Sequence, residues 1–212
     1  MTKTNEILWS FWEKAFTNPL EKKHKICFDK IVKQYSFRFR KYHSEQHLLN
    51  MLHRFQKFED KIGDKQSFLL AIFYHDFYYN PLSKQNEIKS SHKAVQDLAF
   101  LGISGKIQLA VSNLILSTQK HQAVVPSGDI NLFLDIDLSI LGASEEDYKK
   151  YFTDTKKEYF MFPRFLYAKG RTKVLSSFLQ RDSIFFTQDA IMKWEKQARI
   201  NMQQEIVFWQ NR

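Results

Sequence analysis

Two short runs hold the side chains with reactive potential. The first is Tyr42-His43-Ser44-Glu45-Gln46-His47, and the second is Phe73-Tyr74-His75-Asp76-Phe77. If the first run is helical, His43 and His47, four residues apart, share one face and aim at the same spot. His75 and Asp76 follow an intervening loop, where an antiparallel neighbour helix would return to that spot. Imidazole nitrogens and a carboxylate gathered in this way outline a metal site. The alternative without a metal is an aspartate hydrogen-bonded to a histidine.

The elements that must position these groups read as helices. Ile7, Leu8, Phe11, Trp12 and Ala15 recur at three- and four-residue steps, which predicts an amphipathic helix from Glu6 to Phe16, ended by Asn18-Pro19. A second helix runs from Glu21 to Tyr35, with Cys27, Phe28, Ile31, Val32 and Tyr35 inward, and the basic run Phe37 to Lys41 follows. A third carries both His43 and His47 and continues through Leu48, Leu49, Met51, Leu52 and Phe55. After Gly63-Asp64, the stretch from Lys65 to Tyr78 is apolar nearly all round, as in a buried helix, so His75 and Asp76 should lie at or near the core. An unpaired carboxylate there costs several kcal/mol, and ligation to a cation is one of the few ways to offset it.

Further helices are expected from about Lys84 to Leu101 and from Gln108 to Ser117, with His121 either lining the site or capping a helix end. Val124 to Gly128 reads as a loop. The apolar run Asp129 to Leu141, interrupted by Asp135 and Asp137, reads as helix because its neighbours offer no strand partners. Ser144 starts the next helix as a cap, with Asp147 three residues on. Helices from Arg164 to Leu179 and from Ala190 to Trp209 complete the chain. No internal repeat or low-complexity linker interrupts it, so residues 1–212 are expected to form one all-α domain.

Composition narrows the class of protein. A chain of 212 residues with 43% hydrophobic side chains can fill a sizeable core, and its 20 Phe, nine Tyr and four Trp argue against disorder. Lys and Arg number 32 against 23 Asp and Glu, a formal charge of +9 that favours anionic partners such as phosphorylated metabolites, nucleic acid or acidic membrane. No basic stripe interleaved with aromatics runs along one helix face, which disfavours nucleic acid. The single cysteine, Cys27, excludes an internal disulfide framework and a cysteine metal cluster. The N-terminus lacks the apolar core of a signal peptide, and no window approaches the roughly 18 consecutive apolar residues of a membrane span. A soluble cytoplasmic protein with no membrane partner is the expectation. Oligomeric state is left open, a homo-oligomer included.

Two histidines, an adjacent aspartate and a distant aspartate form a mixed nitrogen and oxygen set that suits divalent Mn, Fe, Co, Ni or Zn better than Ca, with Mg admissible. These residues resemble the HD superfamily of metal-dependent phosphohydrolases, named for an adjacent pair matched here by His75-Asp76. That superfamily draws its ligands in the order His, His-Asp, Asp from a bundle of helices, which implies His47, His75, Asp76 and Asp137 here. The preference for His47 over His43 rests on a likeness to the Tyr-His-Asn-x-x-His element of cyclic-nucleotide phosphodiesterases, in which the second histidine binds metal and the first is the proposed general acid. Ser44 stands where that element has Asn. Asp137-Leu138-Ser139 is similar to the Asp-Leu-Ser that holds the last ligand in those enzymes. In a helix Asp135 and Asp137 point roughly 200° apart, so only one faces the ion and the other serves a supporting bond or a cap.

The likeness is closest to a small bacterial group of predicted metal-dependent HD superfamily phosphohydrolases. It extends over Asn86-Glu87 with Ser90, Thr118 with His121, Asp135 to Gly142, Gly170-Arg171, and Ala198-Arg199 with Asn201. It implies an HD-type helical bundle that cleaves a phosphate mono- or diester, with a nucleotide or related small anion as substrate. In that reading His43 protonates the leaving oxygen, Asp76 assists deprotonation of water, and Lys120, His121 and Arg171 contact the substrate, with Arg181 a further candidate. Phe77 to Asn80 follow the His-Asp pair where guanosine tetraphosphate hydrolases carry Glu-Asp, which counts against that substrate. The alternative from another class is a metal-stabilised nucleotide-binding or regulatory module without turnover.

Overall fold

The computed structural model describes residues 2–121 and 127–211. It is all-α, with no strand among the described residues. By packing, the chain divides into two compact units, residues 1–133 and 134–212.

In the first unit, helices α1 (Lys3–Lys14), α2 (Lys22–Tyr35) and α3 (Glu45–Phe58) are amphipathic, as their three- and four-residue apolar steps require. They bury Leu8, Phe11 and Trp12, then Cys27, Phe28, Ile31 and Tyr35, then Leu48, Met51, Leu52 and Phe55. Helix α4 (Lys65–Tyr74) differs, since every residue from Ser67 to Tyr74 is buried. It packs against α1, α3, α5 (Asn86–Phe100) and α6 (Gly105–Ser117), and so forms the centre of this unit. Trp12 meets Phe73 edge-on at 5.2 Å, and Phe68 lies 5.8 Å from Phe55 and 5.1 Å from Phe133. Entry to α4 is doubly fixed. Asp64 caps it by accepting from the Ser67 amide at 3.0 Å, and the Asp129 carboxylate accepts from the Gly63 and Asp64 amides at 2.8 Å each. Asp129 thereby ties the first turn of α7 (Gly128–Leu138) to the first turn of α4.

Two boundaries differ from the sequence reading where they touch the histidines. Helix α3 begins at Glu45 with Ser44 as its N-cap, so His43 sits in the turn before the helix and not on it. Helix α4 ends at Tyr74 instead of Tyr78, with His75 as its C-cap and Asp76 in the turn beyond. Of the expected loop Val124 to Gly128, residues Val124, Val125 and Pro126 lie outside the described residues.

The second unit continues from the last turn of α7 into a 3₁₀ turn (Ser139–Gly142), α8 (Glu145–Glu158), α9 (Arg164–Leu179) and α10 (Gln188–Ala190). The chain then passes through a π segment (Ile191–Glu195) into α11 (Lys196–Gln210). Ser144 caps α8, accepting from the Asp147 amide at 3.2 Å and donating to the Asp147 carboxylate at 2.8 Å. The core is built on a buried carboxylate. Glu205 on α11 accepts a fork of bonds from Arg171 on α9 (2.9 and 3.0 Å), one from the Tyr148 hydroxyl on α8 (2.7 Å) and one from Trp209 Nε1 (2.9 Å).

The π segment lies close against the 3₁₀ turn. A Cβ placed on Gly142 would lie 2.5 Å from Trp194 Cβ and 2.6 Å from the Trp194 carbonyl oxygen, so the 3₁₀ turn touches the helix backbone at Trp194. Asn201 holds the contact by donating to the carbonyls of Leu141 (2.8 Å) and Ala143 (3.0 Å). Gly142→Ala must push these elements apart. It should cost about 1–3 kcal/mol, as overpacking typically does, and appear as a lowered midpoint in thermal unfolding.

Candidate metal centre

His47, in the first turn of α3, and His75, at the end of α4, are both buried, and their Nε2 atoms face each other at 3.1 Å. His75 Nδ1 lies 2.8 Å from the Ile72 carbonyl oxygen. A carbonyl only accepts, so Nδ1 carries the proton and a neutral His75 presents a bare lone pair at Nε2. Asp76 Oδ2 lies 3.2 Å from His75 Nε2 and 4.0 Å from His47 Nε2. The His75 lone pair and the carboxylate oxygen that face each other here need a positive centre between them. Either a proton or a cation supplies it. Edges of 3.1 and 3.2 Å are close to those of an octahedron with bonds of about 2.1 Å, so the donor set fits a divalent transition ion. The bond from His75 Nδ1 to a backbone carbonyl is also the support that metal-bound histidines usually have.

Burial by itself pushes the Asp76 carboxyl up, whereas the imidazoles of His75, His43 and His47, when they carry a proton, hold it below the usual carboxylate range. The Asp76 side chain keeps 17% of its exposure, so the cluster is open to solvent on the aspartate side.

His43 joins this group from outside the helix. Its ring stacks on Tyr79 at 4.0 Å and lies 5.9 Å from His47, with Tyr42 4.9 Å from both histidines. The two histidines therefore approach each other through the turn at Tyr42 to Ser44, and not along one face of a helix.

Backbone contacts fix the Asp76 turn from two sides. Arg40, itself buried, donates from Nη1 to the Asp76 carbonyl at 2.7 Å and from Nη2 to the Phe77 carbonyl at 2.8 Å. The Asp76 amide donates to the Tyr35 hydroxyl at 3.1 Å, and the Arg40 guanidinium lies 4.9 Å from the centre of the Tyr35 ring. Further along, the Tyr78 amide donates to Ser90 Oγ at 2.9 Å, and Asn86 brackets Asn80 with bonds of 3.1 and 2.9 Å. Sequence reasoning gave neither Tyr35 nor Arg40 a task at the site. Tyr35 looked like one more apolar-face residue, and nothing in Phe37 to Lys41 distinguishes Arg40 from Arg38.

The other candidates fall in several places. Asp135 is fully buried, and its carboxylate accepts from the amides of Phe186 (2.7 Å) and Thr187 (2.8 Å) and from Thr187 Oγ1 (2.7 Å). Burial raises its pKa against those three bonds, and its task is to hold the entry to α10. Asp137, two residues on, is half-buried. Within the first unit, the Phe133 ring meets that of His75 edge-on at 6.2 Å. Lys120 and His121 sit in the turn after α6, His121 with a left-handed backbone (φ 46°). Arg171 is committed to Glu205 and, at 3.1 Å, to the Tyr151 hydroxyl, which gives it a structural task in the second unit. The Arg181 guanidinium lies 4.4 Å from the centre of the Phe178 ring.

Comparisons with protein families, with characterised proteins and with solved structures find no match.

Arg40→Ala would strip two carbonyls of their donors beside a buried helix end. Unsatisfied buried groups cost about 1–3 kcal/mol each, so chemical denaturation should show a loss of about 2–5 kcal/mol. Arg40→Lys, which cannot span both oxygens with one planar fork, should recover only part of it.

Proposed function

We propose that this chain is a metal-dependent phosphohydrolase of the HD type, cleaving a phosphate mono- or diester of a nucleotide or a related small anion. The observation that carries this reading is the convergence of His47 Nε2, His75 Nε2 and Asp76 Oδ2, at 3.1, 3.2 and 4.0 Å from one another. Asp137 is assigned as the fourth ligand from the order His, His-Asp, Asp that the resemblance implies. The ion is Mn, Fe, Co, Ni or Zn in preference to Ca, with Mg admissible.

When bound, such an ion supplies water that is acidic enough to attack at neutral pH and neutralises charge on the phosphoryl oxygens. The chain's own residues do the rest. Asp76, partly open to solvent, assists deprotonation of the attacking water. His43, half-exposed and braced on Tyr79, donates a proton to the leaving oxygen. Lys120 and His121 are assigned to the substrate phosphate, while Arg171, neutralised by Glu205, is left out.

A hydrolysis screen of purified protein with Mn, Ni, Co, Mg or Zn against nucleotides, cyclic nucleotides and a generic phosphodiester tests the proposal. Asp76→Ala should lose metal and turnover together, and a fully active metal-free Asp76→Ala would sink the mechanism. His43→Ala should keep the metal and lose roughly 10²–10⁴-fold in turnover. Full ligand affinity and function in His43→Ala would favour the binding-module alternative. Asp137→Ala should weaken metal retention with the fold intact, whereas Asp135→Ala should lower stability and spare the metal. Because protons compete for imidazole nitrogen, retention measured by dialysis should fall as the pH is lowered.

A further inference from the structure

The turn between α8 and α9 presents apolar side chains that the second unit does not cover. Phe160 is 60% exposed, Met161 67%, Phe165 70% and Leu166 47%, and they are nearly consecutive in sequence. Helix α9 buries Tyr167, Leu175 and Phe178 on one side, so Phe165 and Leu166 in its first turn face outward. A contiguous apolar patch of this kind marks an interaction surface.

Charge selects the occupant. From Lys156 to Val174 the chain holds six basic residues, Lys156, Lys157, Arg164, Lys169, Arg171 and Lys173, against one acidic residue, Glu158, which is buried. Arg171 is neutralised by Glu205, whereas Arg164, Lys169 and Lys173 are exposed beside the apolar turn. Arg164, Phe165 and Lys169 also line an open cleft of about 550 Å³ whose floor includes Trp209. A second copy would bring the same cations face to face, which disfavours self-association and favours an anionic partner. The apolar residues sit on a projecting turn, and two of them are the aliphatic Met161 and Leu166. That combination suits the boundary between lipid headgroups and acyl chains better than a stack of bases.

We propose that the α8–α9 turn docks on an anionic lipid surface, with Phe160, Met161, Phe165 and Leu166 entering the acyl boundary and Arg164, Lys169 and Lys173 against lipid phosphates. Such a contact needs no spanning segment, and among the described residues no helix is long and apolar enough to cross a membrane. It is independent of the metal centre.

Flotation of the full chain with vesicles of phosphatidylcholine, with or without phosphatidylglycerol, tests it. The chain should float with the anionic vesicles, at least about tenfold more than with neutral ones, and be released at about 0.5 M salt. The triple variant Phe160→Ser, Met161→Ser, Phe165→Ser and the double variant Arg164→Glu, Lys169→Glu should each lose at least about tenfold in binding. Their unfolding midpoints should match that of the parent, since the altered side chains are exposed. Absence of flotation, or equal flotation by the parent and both variants, overturns the proposal. So does a dimer that the serine variant dissolves without vesicle binding, which reassigns the patch to a second copy, or capture by a single-stranded oligonucleotide alone, which reassigns it to nucleic acid.

Discussion

A helix with no polar face still has to end, and the end of α4 sets the terms for the first unit. Its last carbonyls and those of the turn beyond it have no partner within the helix, and the packing around Phe73, Tyr74 and Phe77 keeps water away. The Arg40 fork meets the Asp76 and Phe77 carbonyls, while the Tyr35 hydroxyl takes the Asp76 amide. A charged guanidinium among aromatic rings is costly to bury, and two charge-assisted bonds with a ring beneath it offset that cost. With the backbone of Asp76 held at its amide and its carbonyl, little freedom is left to its side chain. His75, tied through Nδ1 to Ile72, has no more.

This rigidity is what makes the lone-pair argument informative. Three donor atoms at 3.1, 3.2 and 4.0 Å could relax apart if they rode on mobile loops. Here they project from the first turn of one helix and the end of another, on a backbone fixed by hydrogen bonds, so their mutual repulsion must be met where they stand. A proton shared between imidazoles would meet part of it. A divalent cation held by His47, His75 and Asp76 would meet more of it.

The helices were legible because their apolar residues keep a 3.6-residue period, and the buried character of α4 was legible because its apolar run has no polar stripe. His75 was legible as a buried ionisable group at the end of that helix, whereas Asp76 falls in the turn beyond it and keeps part of its exposure. The ends of helices were less so. That His43 falls outside α3 goes with Ser44 as N-cap without a side-chain bond to announce it, and the turn after Tyr74 is held by Arg40, 34 positions before Tyr74 in the chain. The close approach of Gly142 to Trp194 in the π segment is a contact made only in the folded chain. Asp135 and Asp137 show both sides of the matter. Helical geometry says that they face different ways, yet only the bonds from Phe186 and Thr187 show that Asp135 belongs to the fold.

Arginine does opposite things at two places, and burial decides which. Arg40 and Arg171 are each enclosed, with the Arg40 fork occupied by two carbonyls and the Arg171 charge neutralised by Glu205. Arg164 stands exposed on a stretch whose one acid, Glu158, is buried, and with Lys169 and Lys173 it places part of the chain's excess of +9 near four largely exposed apolar side chains. A cationic rim repels a second copy of itself and an apolar tip gains nothing from water. The two features together therefore point to a partner that is anionic at its surface and apolar just beneath, which is the layered chemistry of an acidic lipid leaflet.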